Sequence, residues 1–218
     1  MPDYLSFKRF VLTLLVSGLL AAVWTISGCS GHFPERTETL KTEKKLPDNW
    51  SMNGRLSISN EDENWYSRFH WVQQGDDFYI RFMGPLGQTE LELRQVGNSV
   101  KLKTPSYERR SNDLEGLLLQ ETGWRFPLKS MRYWALGRAN PDKTARVKRR
   151  EQLVTGITQS GWHIEYPRYM QINEYHLPKK IIVTDPQVKI KIIVTDWSFE
   201  ASTLTSLSLV NNSDSFSH

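Results

Sequence analysis

Thr89-Glu90-Leu91-Glu92-Leu93-Arg94 alternates polar and apolar side chains. Gly97-Asn98 then supplies a turn, and Val100-Lys101-Leu102-Lys103 resumes the alternation. A period of two marks a strand with one buried and one wet face. The pattern spreads upstream: Leu56 and Ile58 share one face, while Trp65, Phe69 and Trp71 share another with Arg68 and His70 opposite. Gln73-Gln74-Gly75-Asp76-Asp77 offers solvated turn residues before Phe78, Ile80 and Phe82 take up the apolar face again, which predicts a hairpin. Downstream the same texture returns at Trp162/Ile164, 180–184 and 188–194. Consecutive antiparallel strands satisfy all these segments.

One stretch breaks the period. Asn112 or Asp113 can cap a helix carrying Leu114, Leu117 and Leu118, with Gly123 as its stop. Pro127 opens a second short helix with Leu128, Met131 and Trp134 that ends at Gly137. Both have apolar faces that need cover, and a curved sheet can provide it.

The chain has 218 residues, 39% hydrophobic and 24% charged, which excludes collagen-like, wholly disordered and polytopic membrane classes. Eight Trp, eight Tyr and nine Phe require a core, a ligand cavity or both. A net charge of +4 and a pI near 9.1 leave nucleic acid and anionic membrane surfaces open as partners. The single cysteine excludes an intrachain disulfide and a Cys-only zinc site.

That cysteine sits in an informative place. Lys8 and Arg9 precede an apolar run from Val11 to Val23, too short to span a bilayer comfortably and long enough for a signal-peptide core. It ends in Ile26-Ser27-Gly28-Cys29, similar to the bacterial lipobox, in which the thiol is diacylglycerated before cleavage. An ordinary secretory signal or an uncleaved anchor is the plain alternative. The likeness implies a signal peptide over 1–28 and a lipidated Cys29. Ser30 in place of Asp implies the outer membrane of a Gram-negative cell. Residues 29–49, with Pro34 and Pro47, read as a flexible tether, and the serine-rich stretch 198–218 reads as a disordered tail.

Catalytic patterns are hard to find. His32, His70, His163, His176 and His218 form no metal-binding spacing, and no Gly-x-Ser-x-Gly or phosphate-cradling loop occurs. The reading is a protein that is not an enzyme and uses no cofactor or metal. His70 reads as a surface residue. Lys143, Arg146, Lys148, Arg149 and Arg150 form a basic cluster, either a solvated strand edge or loop, or a contact for headgroups or an acidic protein. A lipobox places the domain outside the cytoplasm, which disfavours nucleic acid. Gly84-Pro85-Leu86-Gly87 reads as an exposed turn with Leu86 as an apolar tip, either tucked into packing or entering an acyl layer.

Trp50-x-x-x-Gly54-Arg55-Leu56, Phe69-x-Trp71-x-Gln73 and Pro85-Leu86-Gly87-x-Thr89-Glu90-Leu91-x-Leu93 open a series of motifs running from about residue 50 to 197. Leu114 to Leu118, Gly123-Trp124-x-x-Pro127-Leu128, Tyr133-Trp134-x-x-Gly137, Gly161-Trp162, Leu177-Pro178-Lys179 and Lys189-Ile190-Lys191 through Trp197 complete it. In their order and spacing these motifs resemble the LolB family of outer-membrane lipoprotein receptors. The resemblance implies a mainly β fold with an α lid: an incomplete, strongly curved antiparallel β-barrel over an apolar cavity, covered by short helices. It implies a monomer that accepts lipoproteins from the periplasmic carrier LolA and inserts them into the inner leaflet of the outer membrane. Its partners would be that carrier, lipoprotein acyl chains and outer-membrane phospholipid.

Leu86 matches the family's protruding loop leucine, so Pro85 and Leu86 are the expected membrane-insertion loop. Trp65, Phe69, Trp71, Ile80, Phe82, Leu91 and Leu93 are the cavity candidates on the strands, with Leu118 and Trp134 from the lid. Gly84, where the family commonly has Asn, implies a more flexible turn. A structural or adaptor lipoprotein without lipid transfer is the alternative, and a periplasmic hydrolase would need a polar cluster inside the barrel.

Overall fold

A computed structural model describes residues 47–61, 63–123 and 125–199. Cys29, the leader, the tether up to residue 46 and the tail from residue 200 lie outside the described residues. Eleven strands are present among the described residues: β1 (Asn49–Ser59), β2 (Asn64–Gln74), β3 (Asp77–Met83), β4 (Thr89–Val96), β5 (Ser99–Lys103), β6 (Glu108–Ser111), β7 (Ala145–Arg150), β8 (Leu153–Gln159), β9 (Trp162–Ile172), β10 (Tyr175–Thr184) and β11 (Lys189–Ser198). Two helices, α1 (Leu114–Thr122) and α2 (Leu128–Ala135), stand between β6 and β7.

All the strands belong to one sheet in the order β6-β5-β4-β3-β2-β1-β11-β10-β9-β8-β7. Each neighbouring pair is antiparallel. The first and last strands therefore meet at the centre, and β6 and β7 are the two edges. The sheet is curved and open: a closed barrel would pair those edges, whereas here the chain between them folds into the helices.

The alternating pattern has a direct structural meaning. Trp50, Met52 and Ile58 of β1, Phe69 and Trp71 of β2, and Phe78 and Ile80 of β3 point to one side, where they join a single core with Leu114, Leu117, Leu118, Met131 and Trp134 of the helices. On the opposite side the described apolar packing is limited to a pair, Val72 and Tyr79. Gly54 sits where the β1–β11 register shifts, and a Cβ there would collide with the Ile193 carbonyl oxygen and the Phe69 ring. Only glycine allows the strands to approach so closely.

The helix ends follow their residues. The Asp113 carboxylate accepts the Gly116 N–H at 3.1 Å, and Gly123, at φ 75°, ends α1 with its own N–H on the Leu119 carbonyl. Arg146 to Arg150 lie on edge strand β7, so the solvated-edge reading fits the geometry there. Cations along an edge deter pairing with another chain.

Asp76 is a solvated turn residue as expected, its side chain 81% exposed, and it also pairs with Arg132 of α2, while Asp77 accepts the Gly97 N–H at 2.7 Å. One expectation needs correction. His70 is half-buried rather than a surface residue, with Nδ1 at 2.7 Å from Asn53 Oδ1.

Candidate functional site

Between the apolar face of the sheet and the helices lies a pocket of about 350 Å³. Leu56 and Ile58 of β1, Trp65 of β2, Ile80 and Phe82 of β3, Leu91 and Leu93 of β4 and Ile190 of β11 form its sheet wall. Leu118 and Thr122 of α1, Phe126 of the connector, and Leu128 and Met131 of α2 form the other wall. Among the described residues Glu63, Glu90 and Thr122 are the polar lining residues, and no histidine, serine or cysteine faces this space. Such a surface makes few directional demands on a ligand, so it suits chains of variable length and conformation.

Six of the nine sequence candidates are brought together here: Trp65, Ile80, Phe82, Leu91, Leu93 and Leu118. Phe69, Trp71 and Trp134 lie outside the lining, in the packed interior. Phe69 lies over Gly54, and Trp71 tilts against Trp50 with ring centroids 5.2 Å apart. Trp134 is an anchor for α2: its indole N–H donates to Gln159 Oε1 at 2.8 Å, and its carbonyl accepts from the Tyr166 hydroxyl at 2.9 Å. Burial pushes the Tyr166 phenol well above its ordinary range, so it stays a donor.

Gln159 is itself buried and fully engaged. Its amide donates to the Asn140 and Lys143 carbonyls at 2.9 and 2.8 Å, while its oxygen also accepts the Asn140 N–H at 3.0 Å. The chain leaving α2 is thus pinned to β8, and the Arg132–Asp76 pair ties α2 to the β2–β3 turn. Leu56, Ile58, Phe126, Leu128, Met131 and Ile190 were not among the sequence candidates. Leu56 and Ile58 share parity, and Leu128 and Met131 share helical spacing, so the signal for those four was present. Phe126, in a connector with no period, had none.

The β3–β4 turn carries the other candidate. Leu86 is 94% exposed, the most exposed of the large hydrophobic residues described. The turn beneath it is built rather than loose: the Gly87 N–H donates to the Gly84 carbonyl at 3.0 Å and the Gly84 N–H to the Gln88 carbonyl at 2.9 Å. Arg68 Nη2 donates to the Gly84 and Pro85 carbonyls, each at 3.3 Å. Leu86 thus stands in water on a turn whose backbone is fixed by hydrogen bonds.

No group of three or more His, Cys, Asp or Glu side chains suited to a metal occurs among the described residues. No helix among them is long and apolar enough to cross a membrane.

The family model described as "Outer membrane lipoprotein LolB" matches residues 48–197. The chain is 29% identical over 187 residues to outer-membrane lipoprotein LolB of Marinomonas sp. (strain MWYL1), covering 84% of this chain and 96% of that protein. It is 32% identical over 160 residues to the protein of that name from Nitrosococcus oceani, covering 69% of this chain and 76% of that one. Among solved structures, a LolA superfamily protein from Nitrosomonas europaea aligns with a TM-score of 0.43 at 12% identity, over 72% of this chain and 88% of that one.

Proposed function

Because this chain belongs to the outer membrane lipoprotein LolB family, whose members serve lipoprotein localisation, we propose that it takes acylated lipoproteins from the periplasmic carrier LolA and inserts them into the inner leaflet of the outer membrane. The observation that carries this reading is the apolar pocket between sheet and helices. A triacylated lipoprotein has three chains of roughly fifteen methylenes each. At about 0.8 kcal/mol per methylene, exposing them to water would cost on the order of 36 kcal/mol. Cargo must therefore pass from one apolar container to another.

The pocket, about 350 Å³, is near the lower end of the range that holds one drug-sized ligand. Three acyl chains need more room, so loading requires the helices to move away from the sheet. In this account α1 and the Phe126 connector act as a lid. The stronger anchoring of α2 through Trp134 and Gln159 makes it the fixed side. Pro85 and Leu86 touch the bilayer, lipidated Cys29 keeps a monomer at the membrane, and no covalent step occurs. The bilayer is the most favourable home for the chains, which makes transfer one-way without ATP.

A version lacking residues 1–29, mixed with LolA loaded with a labelled lipoprotein and then with liposomes, tests this. Wild type is expected to strip the carrier and deliver its cargo. Leu86→Glu is expected to strip the carrier equally and deliver several-fold less, because a carboxylate resists entry into the bilayer. A wild-type protein that leaves the cargo on a competent carrier would overturn the receptor reading and favour a structural lipoprotein.

A further inference from the structure

Arg55 of β1 and Arg68 of β2 stand directly opposite each other in register. Like charges in that position repel. The same register row runs outward through Ile193 to Lys180 and Arg168, and on the other side to Met83 at the root of the Leu86 turn. It therefore contains four cations and no carboxylate.

Arg55 and Arg68 also line a second recess of about 360 Å³, with Tyr66, Met83, Gly84 and Pro85. Among the described residues no acidic side chain lines it. Arg68 is occupied in part by the turn carbonyls, whereas the Arg55 side chain makes no hydrogen bond or ion pair among the described residues. Tyr66 is 68% exposed beside them, one of few large apolar residues left in water. Leu56 lines both this recess and the apolar pocket.

From this arrangement we infer that the recess binds the phosphate of membrane phospholipid and seats the protein on an anionic bilayer while Leu86 enters it. The inference rests on the receptor reading above. Two guanidiniums supply the fork geometry and charge that a phosphate accepts, and a tyrosine at the rim suits the headgroup layer. The uncompensated pair has a cost in the free protein that a lipid phosphate removes. Leu56 borders both spaces, so the headgroup site and the acyl pocket back onto each other across β1.

The test uses the full-length protein in proteoliposomes of phosphatidylcholine alone, or with about 30 mol % phosphatidylglycerol, and follows both loss of labelled lipoprotein from the carrier and its appearance in the membrane. Wild type should deliver several-fold faster into the anionic vesicles. Arg55→Gln should lose about fivefold of that rate, the weight of one cation at an anionic surface, with unloading of the carrier unchanged, and Arg55→Lys should recover most of it. Arg55 serves this test because its side chain holds no part of the fold. Equal delivery by wild type and Arg55→Gln on anionic vesicles would overturn the inference and leave the receptor reading intact. Inorganic phosphate that abolishes the difference at matched ionic strength would also overturn it, by making a free anion the occupant. A wild-type protein that never unloads the carrier would instead strike the receptor reading itself.

Discussion

His70 lies on the outer face of β2, opposite Asn53 on one side and Arg81 on the other. Burial lowers its pKa from the ordinary 6.5, and the positive charge of Arg81 lowers it further. The folded protein thus binds a proton at His70 less readily than the unfolded chain does. Stability should fall as pH drops through 6.5 toward the folded value, and the loss should be complete below it. Urea midpoints across that window should show the decline in wild type and a shallower one in His70→Gln. An identical slope in the two proteins would mean that other groups govern the acid limb. Leu86 shows the converse logic on the same sheet, an apolar side chain kept wet because Arg68 and the turn hydrogen bonds fix the backbone under it.

Each helix has its own anchor: Glu121 of α1 accepts the Tyr107 hydroxyl at 2.6 Å and pairs with the exposed Arg109, whereas the Trp134–Gln159 contact of α2 is buried. Trp134→Phe removes one hydrogen bond, worth about 1 kcal/mol, and leaves a void in the core that costs a further ~1 kcal/mol, while Gln159 Oε1 keeps the Asn140 N–H. Gln159→Leu strands the Trp134 indole and the Asn140 N–H and takes the amide donor from the Lys143 carbonyl, while the Asn140 carbonyl keeps the Lys143 N–H, and it should cost at least twice as much. Equilibrium urea unfolding reads both, and equal costs would show that the glutamine is not the hub. The same elements show what was legible in advance. β5, Thr89 to Arg94 of β4 and Lys189 to Ile192 of β11 alternate because Leu93, Val100, Leu102, Ile190 and Ile192 are buried on one face; beyond them Gln95 in β4 and Ile193 in β11 break the period. Glu108–Ser111 and Ala145–Arg150 are edge strands with almost no buried residue, so hydrophobic alternation had nothing to record there. Trp65, Phe69 and Trp71 share parity on β2, yet Trp65 lines the pocket while the other two are packed solid. Parity tells which face a side chain takes; whether that face is filled or hollow depends on the strands and helices opposite, which no local pattern contains.

The described residues form a sheet that stops short of closing, with the chain between its two edges folded into helices over the apolar face. This arrangement gives one wall of a cavity to a continuous sheet and the other to two short helices held by separate contacts. A closed barrel of the same strands would have no comparable side to open. On the function proposed above, acyl chains occupy the space between those walls. Placing a photo-cross-linking side chain in turn at Leu91, Glu92, Leu93 and Arg94 tests it most directly, since alternate residues of β4 face the pocket and the opposite side. After handover from the carrier, a lipoprotein labelled in its acyl chains should cross-link from positions 91 and 93 and hardly at all from 92 and 94. Cross-links of equal strength from all four, or from 92 and 94 alone, would contradict the account.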